Sequence, residues 1–516
     1  MLRIVASKPS VTVSEYSGRD LATAAQDAVA SLQLPSGIRP VLLLLPHSPE
    51  LFLLHVGLAS SGQAPAILPW PTTRVDPEKY RNNLLHQLAN LPIDCLVTTP
   101  AVAASLAGAV RQRIVSCDAG SHGRFEHDLA GLNAQQITTD ARTISAPALA
   151  SDVKFLQFSG GTTGAQKCVA VTDAMLREQL TRLSDALQIS TRDAVVSWLP
   201  LYHDMGLIAN LWLPMFAQIP STHFSATDWV LQPELLFQLL EEQGGTICWL
   251  PNFALSYLAR QRPRMQRTYD LSRVRAWISC SEPVRQTSFT AFADAFRDWG
   301  VRSESLQASY AMAENVFALT QTNVKCPPRF IGEHASSGRV LPDMDVRIGE
   351  RGNIEIRTPS LFDGYWSAAG TIRDAFTDDG WYSTGDCGFI DRDELFVVGR
   401  LKDLIIVGGQ NVFPEDVEAI VAGVRDVHPG RAVAFGVDDE ALGTQAIAIV
   451  AEMDGEFSER RAADLEKDIR ASVTAAVGIA PRHVAIVPRQ WIVKSTAGKI
   501  SRHDTKRRFL SERAHG

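Results

Sequence analysis

Short apolar runs alternate with segments of helical periodicity over much of the chain, from about residue 20 to residue 400. The runs 41–45, 153–158 and 195–199 each end near a glycine, a proline or a polar turn. Apolar runs of this length are typical of buried strands, and their alternation with helical segments is typical of βα units. The pattern predicts stacked βα units with mainly parallel strands.

Two changes of pattern follow. After residue 350, polar Asn353, Glu355 and Arg357 alternate with Ile354 and Ile356, which predicts a half-buried antiparallel strand. Near Gly399 a compact α+β unit begins, with predicted strands at 404–407, 431–437, 444–451 and 483–487 and helices at 414–424 and 458–476. We therefore expect two domains, residues 1–399 and residues 400–516.

Composition narrows the class of protein. The 516 residues carry a net charge of −7 with a pI near 6.0, which argues against an overall nucleic-acid binder. The seven cysteines are scattered without zinc-ligand or disulfide spacing, so a reducing cytoplasmic location fits best. The apolar run 41–45 is too short to cross a bilayer, and no transmembrane segment is predicted.

A glycine-, serine- and threonine-rich loop is the first candidate for chemistry. The segment 153–168, VKFLQFSGGTTGAQKC, places this loop after an apolar strand and before a helical pattern. Glycines let several backbone N–H groups face an anion, hydroxyls add donors and Lys167 adds a positive charge. The segment lacks the spacing of the common P-loop. By itself it is either a phosphate cradle or an ordinary turn.

Further motifs follow in the order SWLPLYHDMGL (197–207), SCSEPV (279–284), YAMAEN (310–315), YSTGD (382–386), GRLKDLIIVGGQNVFPEDVE (399–418) and KSTAGKISR (494–502). Together with the loop, this series resembles the adenylate-forming superfamily of acyl-CoA synthetases, luciferases and peptide-synthetase adenylation domains. The resemblance implies an α/β fold. A large N-terminal domain of stacked mixed and parallel sheets flanked by helices, with a small β-barrel-like part, would carry a mobile α+β C-terminal domain.

The resemblance also assigns roles to residues. It implies Lys499, Glu314 and His203 as catalytic residues, Lys402 as the hinge, and Glu314 with Thr162 as Mg²⁺ ligands. His203 would pack against the acyl group and gate the thiol channel, in an acyl pocket formed with Tyr202, Trp249, Asn252 and Phe253. The implied nucleotide-binding residues are Ser159, Gly160, Gly161, Thr162, Thr163, Gly164, Lys167, Ser281, Glu282, Pro283, Tyr310, Ala311, Met312, Ala313, Asp386 and Arg400.

The implied activity is ATP-dependent formation of an acyl-AMP, aided by Mg²⁺, followed by transfer of the acyl group to CoA. Trp249, Phe253 and Trp277 indicate an apolar acid. The motifs at 197–207 and 399–418 look most like the fatty-acyl-AMP ligase branch, which passes acyl groups to the phosphopantetheine of a carrier protein. That branch usually carries an insertion before the YSTGD equivalent, where this chain has only TDDG (377–380). CoA is therefore the expected acceptor, with a carrier protein as the alternative.

Departures from the family pattern leave other functions open. Gly160, Gln166, Cys168, Ala311 and Ala313 replace residues of the family motifs. Loss of a hydroxyl at position 313 is compatible with an enzyme that forms thioesters from preformed acyl-AMP. A luciferase-like monooxygenase and a scaffold that binds acyl-AMP without turnover are the remaining hypotheses.

Overall fold

The computed structural model describes residues 1–6, 12–35, 37–70, 77–91, 93, 95–106, 110, 113–117, 149–159, 167–332, 334–367, 369–408, 410–439, 444–494 and 500–514. Within these ranges the chain forms two large sheets and two small ones. The α/β fold class expected from the sequence is confirmed.

The larger sheet has 14 strands among the described residues and changes from parallel to antiparallel pairing along its width. Its strand order is Asp345–Ile348, Asn353–Arg357, Tyr382–Asp391, Glu394–Arg400, His334–Val340, Ala318–Gln321, Leu306–Ala311, Ala276–Ser279, Ile247–Leu250, Val195–Ser197, Ser221–Phe224, Leu2–Ala6 and Thr12–Tyr16, with Phe330–Ile331 paired to His334–Val340.

The second large sheet has eight strands within the described ranges. Their order is Gly370–Ile372, Tyr365–Ser367, Cys168–Thr172, Val153–Phe158, Pro65–Ile67, Val41–Leu44, Cys95–Thr98 and Arg113–Ser116. Val41–Leu44 is completely buried, as expected for a central parallel strand covered on both faces.

A buried helix, Pro49–Ser60, joins the two large sheets. Its side chains are apolar and buried nearly all round, which is typical of a helix enclosed in a core. Phe52 contacts the His223 ring of the larger sheet, and His55 contacts Phe155 of the second sheet, with ring centroids 4.9 and 5.6 Å apart. The two sheets therefore share one hydrophobic core.

Other helices flank the sheets. They span Gly18–Ser31, Pro77–Asn90, Pro100–Leu106, Asp173–Ala186, Leu213–Ala217, Ala226–Leu231, Glu234–Glu242, Asn252–Gln261, Gln286–Phe296, Pro414–Ala422, Glu459–Val477 and Arg502–Ala514, with a π-helix at Met205–Trp212.

The expectation of mainly parallel strands up to residue 350 is wrong in two places. Antiparallel pairing begins with Leu306–Ala311 and Ala318–Gln321, because so short a connection cannot make the crossover that parallel strands need. The phosphate loop is followed by the strand Cys168–Thr172, which pairs antiparallel with Val153–Phe158, and the helix begins only at Asp173. The strands on either side of residues 160–166 are thus antiparallel.

The predicted C-terminal strands and helices form in the expected type and order, and the structure adds the strand Gln410–Val412 and the helix Arg502–Ala514, which were not predicted. Strands Val427–Asp439, Thr444–Met453 and His483–Val487 form one sheet, and Ile405–Val407 pairs with Gln410–Val412. The apolar residues of this part form two clusters of their own, around Ile449 and around Phe435. The domain boundary at residue 399 stays a prediction.

Candidate active site

The motif segments meet where strands of the larger sheet end. SCSEPV continues from the strand Ala276–Ser279, and YAMAEN closes the parallel neighbour Leu306–Ala311. The antiparallel hairpin Tyr382–Asp391 and Glu394–Arg400 brings YSTGD and Arg400 to the same place. Ligands of α/β proteins generally bind beyond the carboxyl ends of parallel strands.

Glu314 lies on the short 3₁₀ turn Ala313–Asn315 and is held by a tyrosine of the other sheet. The Tyr365 hydroxyl donates a 2.6 Å hydrogen bond to Oε1 of Glu314. Tyr365 also shares a 2.9 Å hydrogen bond with the hydroxyl of Tyr382. Among the described residues, no cationic side chain lies within 4.0 Å of the Glu314 carboxylate.

Burial raises the pKa of Glu314, and the hydrogen bond from Tyr365 opposes that shift. The negative charges of Asp204 and Asp386 raise it further, which places both acids near Glu314. Burial together with the Glu314 charge raises the pKa of Tyr365, so this tyrosine is a neutral donor at physiological pH. A divalent cation bound here would favour the ionised carboxylate.

The Asp386 carboxylate is bound by two side chains. Its Oδ2 accepts a 2.6 Å hydrogen bond from the Tyr310 hydroxyl, and its Oδ1 lies 3.1 Å from Nε of Arg400, its cross-strand partner. The Asp386 charge raises the pKa of Arg400. Each carboxylate oxygen has two acceptor sites, so both can still accept a hydrogen bond from a ribose hydroxyl.

The base of the phosphate loop is described, but its tip is not. The N–H of Ser159 donates to the carbonyl of Lys167 at 2.8 Å, which closes the hairpin. The Lys167 ammonium lies 4.3 Å from the centroid of the Tyr365 ring, a cation–π contact. The remaining predicted phosphate-loop residues lie outside the described ranges, namely Gly160, Gly161, Thr162, Thr163 and Gly164.

The segment predicted to lie along adenine has a special backbone. Ser281 adopts a left-handed conformation with φ of 70°, and Pro283 follows it two residues later. The Glu282 carboxylate accepts a 3.0 Å hydrogen bond from the N–H of Phe253 and so helps to begin the helix Asn252–Gln261. The structure gives Glu282 a local structural role, while its contact with adenine stays a prediction.

The turn after Tyr310 is closed by backbone hydrogen bonds. The Met312 N–H donates to the carbonyl of Phe317 at 2.9 Å, and Ala313 is buried. Ala311 is the last residue of its strand. The hydrogen bond from Met312 spans the 3₁₀ turn that carries Glu314 and so helps to fix the position of this acid.

The predicted acyl pocket has one exposed aromatic residue. Phe253 is 45% exposed and lies edge-on to Trp198 and Trp229, which stack face to face with centroids 4.0 Å apart. Burial raises the pKa of Tyr202 to about 12, and its ring lies 4.8 Å from that of His203. Trp198, Trp229 and Phe253 thus form one aromatic cluster, and Tyr202 and His203 form a second pair of rings.

Two of the predicted pocket residues, Asn252 and Trp249, have different surroundings. Asn252 is tied to neighbouring loops, since its amide donates to Oγ of Ser288 at 3.2 Å and its Oδ1 accepts from the N–H of Arg285. Trp249 is fully buried on the strand Ile247–Leu250 and packs edge-on against Phe317.

The expectation that Trp277 helps to line the same pocket is wrong. Trp277 pairs in register with Cys248, whereas Trp249 pairs with Ile278. Paired residues of parallel strands face the same side, so adjacent positions face opposite sides of the sheet. Trp277 instead packs on Phe292 in the helical layer behind the sheet.

The proposed hinge residue Lys402 directly precedes Asp403, which belongs to a charged cluster. Lys402 lies on the exposed 3₁₀ turn Leu401–Asp403. Lys499 lies outside the described residues, and Lys494 and Ile500, which flank its segment, form an antiparallel bridge.

Arg502, the last residue of the lysine motif, binds three carboxylates. Its guanidinium lies 2.7 Å from Asp403, 2.9 Å from Glu415 and 3.0 Å from Glu418. Burial by itself would lower the pKa of Arg502, but these acids together raise it. Burial also raises the pKa of Glu418 to about 7, against the opposing effect of Arg502. We call these residues the Arg502 cluster.

The donor set fits a nucleotide-bound magnesium ion better than a protein-bound metal. In the described part of the chain, no group of three or more His, Cys, Asp or Glu side chains is arranged to hold a metal. Mg²⁺ commonly takes one or two carboxylates and completes its shell with phosphate oxygens and water. Glu314, a carboxylate held by the neutral hydroxyl of Tyr365, suits that arrangement.

Several residues of this site were not identified from the sequence. Asp204 and Trp198 belong to a quoted motif and were passed over, while Tyr365 lies outside all of the motifs. Tyr382 begins the YSTGD motif, but only Asp386 was chosen from it. Tyr365 comes from a different sheet, and a partner brought in by tertiary structure leaves no local signal in the sequence.

Comparison with known proteins agrees with this geometry. Residues 6–366 match the family described as AMP-binding enzyme. The chain belongs to this family of adenylate-forming ligases, which use ATP to activate a carboxylic acid as its adenylate.

Two relatives illustrate the range of the family. The chain is 30% identical to a probable long-chain-fatty-acid–AMP ligase, FadD30 of Mycobacterium tuberculosis, over 67% of this chain and 68% of that protein. It is 26% identical to a Caulobacter vibrioides protein given provisionally as an acyl-CoA synthetase, over 87% of this chain and 82% of that protein.

The fold is also similar to that of a solved structure from a study of fatty acyl-adenylate ligases of E. coli and L. pneumophila. The TM-score is 0.79 with 23% identity, covering 100% of this chain and 96% of that one. Within the described residues, no helix is long and apolar enough to cross a membrane.

Proposed function

We propose that this protein is an acyl-CoA ligase that activates an apolar carboxylic acid as acyl-AMP and transfers the acyl group to CoA. The observation that carries the proposal is the meeting of Glu314, Tyr310, Asp386 and Arg400 at the strand ends, beside the base of the phosphate loop. This arrangement offers acceptors for a ribose and a carboxylate for a nucleotide-bound cation.

The first half-reaction brings two anions together. An oxygen of the acid attacks the α-phosphorus of ATP, and pyrophosphate leaves. In our proposal Lys499 lies between the acid and the α-phosphate, and the N–H groups of residues 159–164 bind the phosphates. Preorganised positive charge and N–H donors of this kind stabilise the developing negative charge. The Asp386 carboxylate binds the ribose hydroxyls, and Arg400 and Tyr310 keep that carboxylate in place.

Glu314 and Thr162 are the proposed Mg²⁺ ligands. When bound, the ion would neutralise charge on the triphosphate. The contribution of the chain is to hold the Glu314 carboxylate in position, which the Tyr365 hydroxyl does through its 2.6 Å hydrogen bond.

The apolar character of the acid is inferred from these aromatic residues. Phe253 lies edge-on to the stacked pair Trp198 and Trp229, and the rings of Tyr202 and His203 contact each other. Aromatic walls of this kind bind an apolar acyl chain or ring by burying its surface. Trp249, which is buried in the core, is the remaining aromatic residue of the proposed acyl pocket.

The choice of CoA is supported by a short turn. Residues 377–380 form a tight turn in which the Thr377 N–H donates to the carbonyl of Trp381, and Phe376 pairs with Tyr382 across it. A turn this short offers little to restrain residues 400–516. In our proposal these residues rotate about Lys402 after adenylation, which withdraws Lys499 and admits the thiol to attack the acyl carbonyl and release AMP.

A carrier protein is the second candidate acceptor. The observation that favours it is the 30% identity with a protein named as a fatty-acid–AMP ligase. Phosphopantetheine presents the same thiol in CoA and in a carrier protein, so the active-site chemistry is unchanged.

The test is a screen of carboxylic acids for pyrophosphate release, followed by acid-dependent ATP–pyrophosphate exchange and AMP release with and without CoA. We expect exchange with apolar acids and AMP release that requires CoA. Lys499→Ala should lower exchange by about 100- to 1000-fold or more, the usual effect of losing a preorganised donor. Lys467→Ala, which removes an exposed lysine on the helix Glu459–Val477, is the matched control.

Each alternative has its own result. Thioester formation on a carrier protein and none on CoA would support the second candidate. Thioester formation from added acyl-AMP without any exchange would mean that the enzyme uses preformed adenylate. Tight binding of acyl-AMP with no thioester under either thiol would contradict both proposals.

A further inference from the structure

Tyr365 joins the two halves of the nucleotide site. It lies on the strand Tyr365–Ser367 of the second sheet, paired in register with Val169 just after the phosphate loop. Its hydroxyl reaches Glu314, which belongs to the larger sheet, and its ring lies beneath the ammonium of Lys167. One side chain therefore contacts both the predicted metal ligand and the base of the phosphate loop.

The two contacts come from different parts of the tyrosine. The hydroxyl makes the 2.6 Å hydrogen bond to Oε1 of Glu314, and among the described residues no other side chain is hydrogen-bonded to this carboxylate. The aromatic face makes the contact with Lys167 at 4.3 Å. Tyr382 supports the hydroxyl at 2.9 Å without bonding to Glu314.

We propose that Tyr365 is a positioning residue for adenylation, whose hydroxyl aims the Glu314 carboxylate at the nucleotide-bound cation while its ring seats Lys167 beside the phosphates. This inference rests on the proposed function, because it needs Glu314 to act as a metal ligand. Groups that orient a ligating carboxylate typically change metal affinity or activity by about 10- to 100-fold when they are lost.

The hydroxyl fixes one oxygen of Glu314 and leaves its other oxygen for the cation. A neutral donor is suited to this task, since a lysine or arginine in the same place would compete with the cation for the carboxylate charge. The tyrosine pair thus orients the acid without neutralising it.

The test measures metal binding directly. Mn²⁺, a spectroscopic substitute for Mg²⁺, is titrated by electron paramagnetic resonance into the full-length protein saturated with a non-hydrolysable ATP analogue. In a separate experiment, the nucleotide-free protein is titrated with the analogue by calorimetry in the absence of metal. The variants are Tyr365→Phe, Tyr382→Phe and Glu314→Gln, each checked for cooperative thermal unfolding.

We expect Tyr365→Phe to weaken Mn²⁺ binding by about tenfold or more, with affinity for the metal-free analogue within about twofold of wild type because the ring remains under Lys167. Tyr382→Phe, the matched control, should change Mn²⁺ binding by less than Tyr365→Phe does. Tyr365→Met, which lacks both hydroxyl and ring, should weaken the metal-free analogue as well. If Tyr365→Phe does not fold, Tyr365→Met takes its place in the metal titration.

The outcomes separate the two proposals. Unchanged Mn²⁺ binding in Glu314→Gln would overturn the metal role within the proposed function. A loss in Glu314→Gln together with wild-type Mn²⁺ binding in Tyr365→Phe would overturn the positioning role and leave the proposed function standing. Equal losses in Tyr365→Phe and Tyr382→Phe would also overturn it, because the effect would then belong to packing of the tyrosine pair.

Discussion

Two polar networks in this molecule are held in opposite ways. The Glu314 carboxylate accepts its hydrogen bond from the neutral Tyr365 hydroxyl, which Tyr382 supports, and burial raises the pKa of the acid. In the Arg502 cluster one guanidinium is shared by three carboxylates at 2.7 to 3.0 Å. Acids that share a partly buried guanidinium hold a fold together, whereas a carboxylate held by a neutral donor is available to a ligand.

The difference has a consequence for stability and activity. Removing the positive charge of Arg502 leaves the partly buried acids of the cluster unpaired, which lowers the stability of the fold. Removing the charge of Glu314 leaves its hydrogen-bond donor Tyr365 neutral and relieves repulsion from Asp204 and Asp386, so it should cost activity and not stability. The two networks should therefore respond to substitution in different measurements.

The largest expected effect is on stability. Arg502→Met should destabilise the protein by about 3–5 kcal/mol, because Asp403, Glu415 and Glu418 lose their common cation. Denaturant unfolding at neutral pH measures it. Arg507→Met on the same helix is the control, since Arg507 is exposed and pairs only with Asp504 in the described residues. Equal, small effects of both substitutions would remove the contrast between the networks.

The next effect is on rate. Glu314→Gln should lower ATP–pyrophosphate exchange by about 100- to 1000-fold, as expected when a preorganised electrostatic contact is lost. Its melting temperature should match or exceed that of wild type, because burial disfavours the ionised acid that the substitution removes. Loss of folding with no specific loss of exchange would show that Glu314 is structural, like the Arg502 cluster.

A smaller effect is expected on nucleotide affinity. Asp386→Asn keeps the shape of the side chain but weakens its bonds to Tyr310 and Arg400 and to the ribose. Hydrogen bonds to charged groups are worth about 1.5–3 kcal/mol, so the KM for ATP should rise roughly 10- to 100-fold. Steady-state kinetics over a range of ATP concentrations measures this, and an unchanged KM would argue against ribose binding by Asp386.

The smallest effect is a pH dependence of stability. The folded pKa of Glu418 is about 7, above the usual value of 4.5 for glutamate, so its contribution to stability is fully present below pH 4.5. That contribution is lost as the pH rises through about 7, because the unfolded chain ionises first. Thermal unfolding at several pH values should show this slope in wild type and a weaker slope in Glu418→Gln. Identical slopes would mean that Glu418 is fully ionised in the folded protein.

The sequence predicted those parts of the site that are recorded in local motifs. Tyr310, Glu314, Asp386 and Arg400 were selected from their segments, and the structure brings them together at the strand ends. Four strands and two helices after residue 400 were likewise predicted in type and order, because their apolar spacing is regular. The strand Gln410–Val412 and the helix Arg502–Ala514 were not predicted.

What the sequence did not predict depends on pairing between distant segments. Tyr365 reaches Glu314 from another sheet, and the strand Cys168–Thr172 after the loop pairs antiparallel with the strand Val153–Phe158 before it. Trp277 looked equivalent to Trp249 in sequence, yet strand register turns them to opposite faces. Neither sheet membership nor register is visible in a local apolar pattern.

The most direct test of the central claim is a crystal structure with an acyl-sulfamoyl-adenosine, a stable mimic of acyl-AMP. The account predicts that the ribose hydroxyls lie within hydrogen-bond distance, about 2.7–3.2 Å, of the Asp386 carboxylate. The sulfamoyl group should lie beside the loop 159–164, on the side of Glu314, and the acyl group should lie against Phe253 and His203. A nucleotide bound elsewhere, beyond hydrogen-bond reach of Asp386 and remote from Glu314, would contradict the account.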